Sequence, residues 1–241
     1  MKGRIKAEAS LGSILLPTPF AWYAADDLNL ADNDPVTLWP DRGQNGLDAT
    51  LATVDAPVFR ENITRSGLPV VRFIPTRVLR TAVFPAIAQP NTIFAVWNSN
   101  GAGRLLDGQN DASRHILGTS SSLVRIFAGT FLGYVRPVNF PRFLIHTAIF
   151  NGATSSIREN GVLQVIGNAG LSGTTRFTLG AHYNLVSNPF NGDVAEIIVY
   201  DRELSLSEIE QVELYLYRKY FTRSLSGSVD GLSSLDGSIP S

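Results

Sequence analysis

Residues 190–219 decide the fold, and they read FNGDVAEIIVYDRELSLSEIEQVELYLYRK. Positions 194–200 are almost all apolar and rich in β-branched residues, which is typical of a strand buried on both faces. Ser205 and Glu208 then have the spacing of a capping box, in which each side chain accepts a hydrogen bond from a backbone N–H of the first helical turn. The stretch therefore predicts a last core strand that runs into a helix.

The predicted helix has one apolar face, and its two ends carry further signals. Leu204 before the cap and Ile209 after it are spaced to form a hydrophobic staple, and Arg218 and Lys219 lie at the C-terminal end, where the helix dipole favours cations. The apolar residues recur at helical spacing: Leu206, Ile209, Val212 and Leu216. No other segment has a helix signal of this strength, so we expect one amphipathic helix in a β-rich chain.

The rest of the chain indicates many short strands separated by turns about every ten residues. Residues 92–97 are nearly all apolar, which predicts another strand that is covered on both faces. Asn160 and Gly161 separate two strand-like runs, and this dipeptide is typical of a tight β-hairpin. There is no alternation of strands and helices, so the pattern predicts an all-β sandwich or barrel.

Composition excludes several functional classes. The 241 residues have a formal net charge of -1, so there is no basic footprint for nucleic acid. There is no cysteine, which excludes disulfides, thiolate zinc sites and cysteine nucleophiles. Charged residues make up only 17% of the chain, against about 25% in typical soluble domains. This low value has two explanations that stay open, a large core or a surface that is hidden in an assembly.

The N-terminus argues against a cleaved signal peptide. Lys2, Arg4 and Lys6 are followed by Glu8, and Pro17 interrupts the apolar stretch that a signal peptide would need. No run of about 18 apolar residues occurs, so the sequence predicts no membrane span. We therefore expect synthesis without a cleavable signal peptide.

We divide the chain into an N-terminal arm (residues 1–16), a globular domain (17–221) and a Gly/Ser-rich C-terminal arm (222–241). A flexible linker is one explanation of such tails. Addition of the arms as strands to neighbouring subunits is the other, because apolar residues recur in both tails. These residues are Leu11, Ile14, Leu225, Val229, Leu235 and Ile239.

Several segments carry a family resemblance. Residues 39–49, WPDRGQNGLDA, resemble the W-x-D-x-S-G-x-x-x-D-A segment of bacterial and phage laminin-G-like domains, with Gly43 where many members have serine. The segments GLPVVRF (67–73), FNG (150–152), ENGVL (159–163) and FNGDVAEI (190–197) fit the same pattern. Over residues 19–220 the chain thus resembles a laminin-G-like domain of the concanavalin A-like lectin/glucanase superfamily. The resemblance implies a two-sheet antiparallel jelly roll, a fold shared by lectins, enzymes and adhesive modules, so function stays open.

The catalytic pattern of that superfamily is missing. Its glucanases carry E-x-D-x-x-E on one strand, whereas the best acidic pair here is Asp193 and Glu196. Their spacing of three predicts opposite faces of a strand, and we expect Glu196 to be a buried or rim carboxylate paired with an arginine. The three histidines, His115, His146 and His182, lack the spacing of a metal or catalytic site, and His146 is expected in the core or facing a partner. The sequence therefore predicts a protein that is not an enzyme.

Calcium is the one ion that the sequence suggests. Asp26, Asp27, Asp32 and Asp34 cluster in one segment, and carboxylate oxygens are the ligands that Ca²⁺ prefers. Relatives implied by the resemblance often bind calcium at a sandwich rim, and Asp107 and Asp111 are further candidates. Aspartate is also an ordinary turn residue, so both explanations stay open.

Sugar binding would use exposed aromatic rings and polar side chains near loops. Trp22, Trp39 and Trp97 lie in strand-like contexts and are expected in the core. Phe131 lies nearer to a loop. The remaining candidates for a glycan site are Tyr134, Tyr183, Asn184, Asn188 and Asn191.

These observations together favour a non-enzymatic structural or adhesion protein on the surface of a larger assembly. A phage virion component fits, such as a capsid decoration or tail/fibre protein that also binds glycans, with copies of itself and other structural subunits as partners. We expect it on a virion or an extracellular surface. The alternatives are a free-standing carbohydrate-binding lectin module and a diverged glycoside hydrolase whose carboxylates converge from separate loops.

Overall fold

The computed structural model describes residues 15–137 and 139–222, and it confirms an all-β, two-sheet antiparallel jelly-roll sandwich with one helix near the C-terminus. Sheet 1 contains β1 (Ala21–Ala24), β4 (Val58–Arg60), β5 (Val70–Phe73), β7 (Asn91–Asn100), β12 (Asn139–Phe150), β13 (Ser155–Glu159), β14 (Val162–Gly167) and β16 (Gly192–Tyr200). Sheet 2 contains β2 (Leu38–Trp39), β3 (Ala49–Leu51), β6 (Leu79–Arg80), β8 (Gly103–Asp107), β9 (Ile116–Ser120), β10 (Leu123–Phe127), β11 (Phe131–Val135) and β15 (Thr178–Leu179). The helix α1 spans Leu206–Phe221, and two short 3-10 turns span Ala25–Asp27 and Gly152–Thr154.

The strand order places sequence-distant segments side by side. Sheet 1 has the order β14-β13-β12-β7-β16-β5-β4, with β1 also paired to β16, and sheet 2 has the order β11-β10-β9-β8-β15-β6-β3-β2. The edge strands β11 and β14 come together on one side of the sandwich. The hairpin between β13 and β14 turns at Asn160 and Gly161, which have φ of 47° and 83°, so this prediction is confirmed.

Two apolar clusters stabilise the fold. The larger lies between the sheets and includes Trp39 and Trp97. The smaller lies between the opposite face of sheet 1 and α1, where Phe94 and Ile198 pack against Val212 and its neighbours. Because sheet 1 is covered on both sides, all nine residues of β16 are buried, which confirms the expectation for this strand. The predicted cover of residues 92–97 on both faces is confirmed as well.

The helix begins as predicted. Ser205 Oγ accepts a hydrogen bond from Glu208 N (3.3 Å), and Glu208 Oε2 accepts one from Ser205 N (2.8 Å). Leu204 and Ile209 belong to the same buried cluster, as a hydrophobic staple requires. The prediction that Leu206 lies on the buried face of the helix is wrong, since 58% of this residue is exposed. The buried stripe is centred on Ile209, Val212, Leu216 and Tyr220, and Leu206 lies beside that stripe.

The prediction that Asp193 and Glu196 point to opposite faces is wrong. The partner of Val194 on β7 is Trp97, whereas the partner of Glu196 is Val96, so Ala195 is an extra residue in β16. Such a bulge breaks the alternation of side chains. Both carboxylates therefore lie on the helix-covered face of sheet 1, where Asp193 contacts Arg72 of β5.

The tryptophan-containing segment 39–49 serves the fold. Asp41 accepts hydrogen bonds from the backbone N–H groups of Trp22 (2.7 Å), Gly43 (2.7 Å) and Leu47 (2.9 Å). Trp39 and Trp97 are fully buried, as expected, whereas Trp22 is half-buried under the Arg42 guanidinium. This motif thus joins β1 to the loop before β3.

Two further expectations concern the ends of the chain and the membrane. The arm residues Leu11, Ile14, Leu225, Val229, Leu235 and Ile239 lie outside the described residues. Within the described ranges, no helix has the length and apolar character that a membrane span needs.

Candidate functional site

The outer face of sheet 2 carries the most distinctive set of side chains on the molecule. Leu79, Leu106, Leu117 and Leu179 of this sheet point into the core. Their neighbours point to the other side, because side chains alternate along a strand. We call this outer surface, with the loops that border it, the arginine face, since it is defined by Arg80, Arg104, Arg114, Arg125 and Arg176.

Two rows of directly paired residues cross this face. One row runs Thr50, Arg80, Thr178 and Asp107, across β3, β6, β15 and β8. The other row runs Arg104, Gly118, Arg125 and Gly133, across β8, β9, β10 and β11. The glycines have no side chain, and since Gly118 is buried and Gly133 half-buried, the second row presents accessible bare backbone beside Arg125 on the β11 side.

Asp107 connects the centre of the face to its two bordering loops. Its carboxylate is fully buried and accepts hydrogen bonds from Arg104 Nη1 (2.8 Å) and from Arg114 Nε (3.0 Å) and Nη2 (2.6 Å). Backbone N–H groups of Gly108 (2.7 Å) and Tyr183 (3.2 Å) donate to the same carboxylate. Asp107 thus has five donors, and it has little capacity left to neutralise further cations.

The loop of residues 181–189 forms one border of the face. The Tyr183 ring lies over the Arg114 guanidinium at 4.7 Å. The backbone carbonyl of Tyr183 accepts a hydrogen bond from Arg80 Nη2. Leu185 has a φ of 69°, a left-handed conformation that is uncommon for a residue with a bulky side chain. Such strain occurs where surrounding contacts enforce it, often at functional loops.

Aromatic rings also lie on the β10 and β11 side of Arg114, whose guanidinium is 5.5 Å from the Phe127 ring. Phe127 of β10 and Phe131 of β11 have ring centroids 4.6 Å apart. The Arg125 guanidinium lies 4.0 Å from the Phe131 ring, and Phe131 is 46% exposed. An exposed ring beside a guanidinium can stack on the apolar face of a sugar while the cation binds hydroxyl or acidic groups.

An open groove of about 550 Å³ runs along the β3 and β6 side of the face. Arg80 and Arg176 line it together with Asp48, Thr50 and Leu185. A second groove, of about 400 Å³, lies elsewhere, between Phe20, the segment 85–90 and Arg202. The first groove has the larger set of polar side chains, and it adjoins the predicted loop 181–189.

Burial and like charge both act on these arginines. Burial lowers the pKa of the Arg80 guanidinium, and the nearby Arg176 lowers it further. Burial likewise lowers the pKa of Arg125, with Arg104 as a second cause. Within the described residues, Arg80, Arg125 and Arg176 form no ion pair, and Arg176 Nε has no hydrogen-bond partner. The face therefore has unneutralised positive charge.

The structure brings together part of the predicted glycan set. Tyr183, Asn184 and Asn188 share the loop 181–189 beside the arginine face, and Asn191 lies immediately before β16. The side chain of Asn184 stabilises this loop, since its Oδ1 accepts hydrogen bonds from the N–H groups of Val186 and Ser187. The exposed Asn188 is held beside β8, because its carbonyl accepts a hydrogen bond from Arg104 N (3.1 Å).

Tyr134 does not join that group. It lies on β11 with its side chain toward the interior, where its hydroxyl donates to Glu159 (2.5 Å) and lies 2.9 Å from His146 Nε2. His146 is fully buried, which confirms a core histidine, and burial lowers its pKa. Arg136 pairs with the same Glu159 at 2.7 Å, so this cluster connects the two sheets near their β11 and β14 edges.

The aspartates proposed for calcium are bound to different partners. Asp26 pairs with Lys219 (2.8 Å), Asp27 with Arg42 (3.3 Å) and Asp32 with Arg60 (2.9 Å). Asp34 accepts a hydrogen bond from Ala31 N (2.8 Å). Asp107 and Asp111 are both paired with arginine. Across residues 15–137 and 139–222, no group of three or more His, Asp or Glu side chains is arranged to hold a metal ion, and calcium binding stays a prediction.

The two carboxylates tested for catalysis are enclosed by other side chains. Asp193 is bound by Arg72 at 2.5 and 2.9 Å. Glu196 is fully buried, as expected, but its ion-pair partner is Lys219 (2.8 Å) rather than an arginine. Burial alone would lower the pKa of Lys219, and Glu196 raises it above the usual value. Trp22 Nε1 and the hydroxyls of Tyr215 and Tyr220 also donate to Glu196. This hub holds α1 against sheet 1.

The sequence did not indicate the arginine face. Arg80, Arg104, Arg125 and Arg176 are scattered over almost a hundred residues, and only the pairing register brings them together. One local signal was present, because in the segment LVRIF the residues Arg125 and Phe127 alternate with apolar core residues.

In sequence, no family model matches this chain, and no curated protein matches it. In structure, the chain is similar to domain 4 of AbnA, a GH43 extracellular arabinanase from Geobacillus stearothermophilus solved with arabinotriose. The TM-score is 0.58 at 10% identity, covering 81% of this chain and 98% of that domain.

Botulinum neurotoxin type C, which depends on two ganglioside molecules to enter cells, is similar with a TM-score of 0.56 and 11% identity, covering 83% of this chain and 51% of that chain. Trypanosoma rangeli sialidase in complex with 2,3-difluoro-KDN is similar with a TM-score of 0.53 and 13% identity, covering 87% of this chain and 34% of that chain. This chain thus spans about half of the neurotoxin chain and about a third of the sialidase chain. Similarity at such low identity establishes one point, that the chain has the jelly-roll sandwich fold of these domains.

Proposed function

We propose that this protein is a non-enzymatic adhesion protein that binds glycans with the arginine face of sheet 2. The observation that carries the proposal is the combination, on one open surface, of an exposed aromatic ring (Phe131), unpaired guanidinium groups and a polar groove. Aromatic surface with a few placed polar groups is the usual composition of a ligand site. Three structurally similar proteins were solved with sugars or depend on gangliosides, which supports the proposal by analogy of fold alone.

A non-enzymatic role is part of the proposal. Asp193 and Glu196 are each occupied by cationic or hydroxyl partners on the helix-covered face of sheet 1, away from the arginine face. Glycoside hydrolysis needs two carboxyl groups placed across the scissile bond. A diverged glycoside hydrolase stays the alternative, and release of reducing sugar from polysaccharides would support it.

We further propose that the protein is carried by a larger assembly, for which a phage virion is our leading candidate. Val162, Leu163 and Ile166 are 61%, 47% and 59% exposed on β14, one of the two edge strands of sheet 1 in the described part of the chain. Exposed apolar edge strands are ready surfaces for pairing with another chain. The resemblance to laminin-G-like domains of bacteria and phages supports this setting by association. A free-standing lectin module would instead be monomeric.

Binding to a glycan array tests the adhesion proposal. We expect the wild-type protein to bind a defined group of glycans and Phe131→Ala to lose at least about fivefold in affinity, equivalent to about 1 kcal/mol. Tyr217→Ala is the matched control, since Tyr217 is similarly exposed (52%) but lies on α1. A wild-type protein that binds no glycan, or equal losses in both variants, would refute the proposal.

Size-exclusion chromatography with light scattering tests the assembly proposal. We expect the protein to self-associate and Ile166→Lys to weaken that association, because the added charge lies on the exposed edge strand. Deleting residues 222–241 separates the contribution of the C-terminal arm from that of β14. A wild-type protein that stays monomeric at high concentration would contradict this proposal and favour the lectin module.

A further inference from the structure

We infer that the ligand of the arginine face is an acidic oligosaccharide, with carboxylate or sulfate groups, that lies across the strands of sheet 2 from Arg125 to Arg80. This inference rests on the proposed glycan-binding function and specifies the chemical class of the ligand. Its basis is the distribution of charge on the face. Some of the arginines are paired with carboxylates, and the others are not.

The arginines that are paired with carboxylates lie mostly buried below the surface of the face. Arg104 and Arg114 have side chains that are 11% and 6% exposed, and both are bound by the Asp107 carboxylate. They are held in fixed positions, and with Asp107 and Asp111 as counter-charges they add no net positive charge. Asp107 accepts five hydrogen bonds, so its charge is already used by these partners.

The unpaired arginines are the ones that face solvent. Arg80, Arg125 and Arg176 are each half-buried and have no carboxylate partner within the described residues. Burying a charged group without a counter-charge is unfavourable, yet the fold places three such groups on one face, of which Arg80 has the neutral partners Thr178 and Tyr183. An anionic ligand would supply the missing partners, because guanidinium binds carboxylate and sulfate-like groups through pairs of charge-assisted hydrogen bonds.

The spacing of these arginines indicates an extended ligand. Arg125 is on β10 and Arg80 is on β6, with β9, β8 and β15 between them. Four strand spacings of about 4.8 Å give about 19 Å, which is longer than one monosaccharide. A chain with acidic groups at intervals would reach both ends, with the Phe131 ring beside Arg125 and Arg176 beside Arg80 in the groove, where these two guanidinium groups outnumber the Asp48 carboxylate.

The surface beside Arg125 is suited to a ligand that lies flat on the β11 side, whereas Asp107 and Thr178, between Arg125 and Arg80, are buried. Gly118 and Gly133 directly flank Arg125 in the pairing register. A side chain at Gly118 would collide with the backbone, since an added Cβ would lie 2.4 Å from the Gly103 carbonyl oxygen. Gly118 is itself buried, so sugar rings can approach bare backbone on one side of Arg125, at the half-buried Gly133.

Isothermal titration calorimetry with matched oligosaccharides tests the inference. The probes are a tetragalacturonate (carboxylated), a heparin tetrasaccharide (sulfated) and a neutral maltotetraose. We expect one or both acidic probes to bind at least about tenfold more tightly than the neutral probe, and the comparison of the two identifies the acidic group. We expect Arg125→Gln and Arg80→Gln each to reduce acidic binding by about tenfold or more, the usual scale for a charged hydrogen-bonded pair.

Arg65→Gln is the matched control, because Arg65 is an exposed arginine on the loop between β4 and β5 of sheet 1. It should change acidic binding by less than about twofold, and thermal unfolding should show that all three variants fold. Equal binding of neutral and acidic probes, unchanged by Arg125→Gln and Arg80→Gln, would overturn the inference and leave the glycan-binding proposal standing. If neither these probes nor a glycan array shows binding, the proposed function fails with it.

Discussion

Replacement of Asp107 by asparagine tests whether the arginine face is built on a buried ion cluster. The Asp107 carboxylate has no solvent exposure, and it accepts three hydrogen bonds from two guanidinium groups that are themselves almost inaccessible. Asparagine has a similar shape but no charge, so Arg104 would be left buried without a counter-charge and Arg114 with the exposed Asp111 alone. Removing one partner of such a pair costs about 3–5 kcal/mol, and we expect a loss of this size in the free energy of unfolding.

Urea unfolding followed by tryptophan fluorescence measures the loss. With a slope of about 2.5 kcal/mol per M, the midpoint should fall by about 1–2 M. Asp111→Asn is the control, since the Asp111 side chain is 81% exposed and pairs with Arg114 alone. Exposed pairs of that kind contribute about 0–1 kcal/mol. A loss of less than about 1 kcal/mol in Asp107→Asn would refute the reasoning that this cluster stabilises the face.

Three further predictions concern stability in acid, the helix cap and the buried charge pair between α1 and sheet 1. His115 is fully buried and donates from Nε2 to the Ser172 carbonyl, and burial lowers its pKa to about 4. Unfolding frees it to bind a proton below about pH 6.5, so stability should fall by up to about 3 kcal/mol between pH 6.5 and 4; His115→Phe should flatten that decline in urea titrations, and an unchanged slope would contradict it. Ser205→Ala should lower the thermal midpoint, at a cost of about 1 kcal/mol, whereas an unaltered midpoint would show that the cap is dispensable. Glu196→Gln leaves Lys219 without its buried counter-charge and should destabilise by about 3–5 kcal/mol, a result that a urea titration with no midpoint shift would refute.

Local patterns made the last strand and the helix predictable. The apolar run of β16, the capping pair and the helical spacing all act between residues close in sequence, and the structure confirms each of them except the place of Leu206. The bulge at Ala195 was not predictable in the same way, because it depends on how β16 pairs with β7. Strict alternation therefore gave the wrong faces for Asp193 and Glu196.

In the candidate site too, features that depend on neighbours in sequence were predictable, and features that depend on strand pairing were not. Tyr183, Asn184 and Asn188 could be grouped from sequence because they are neighbours on one loop, and a loop keeps sequence neighbours together in space; their role in glycan binding stays a prediction. The arginine face was missed, because Arg80 and Arg125 become parts of one surface only through the order of the strands in sheet 2. Alternation along β11 places Phe131, rather than Tyr134, on the outer face, and that difference could have been inferred from sequence.

Hydrogen–deuterium exchange in the presence of the tightest-binding saccharide tests most directly that the arginine face is the glycan site. We predict slower exchange in residues 116–135 and 178–189, which contain β9, β10, β11, β15 and the bordering loop. Exchange in α1, on the other side of the molecule, should be unchanged. Protection in α1 or along β14, with none in the strands and loop of the arginine face, would contradict the account.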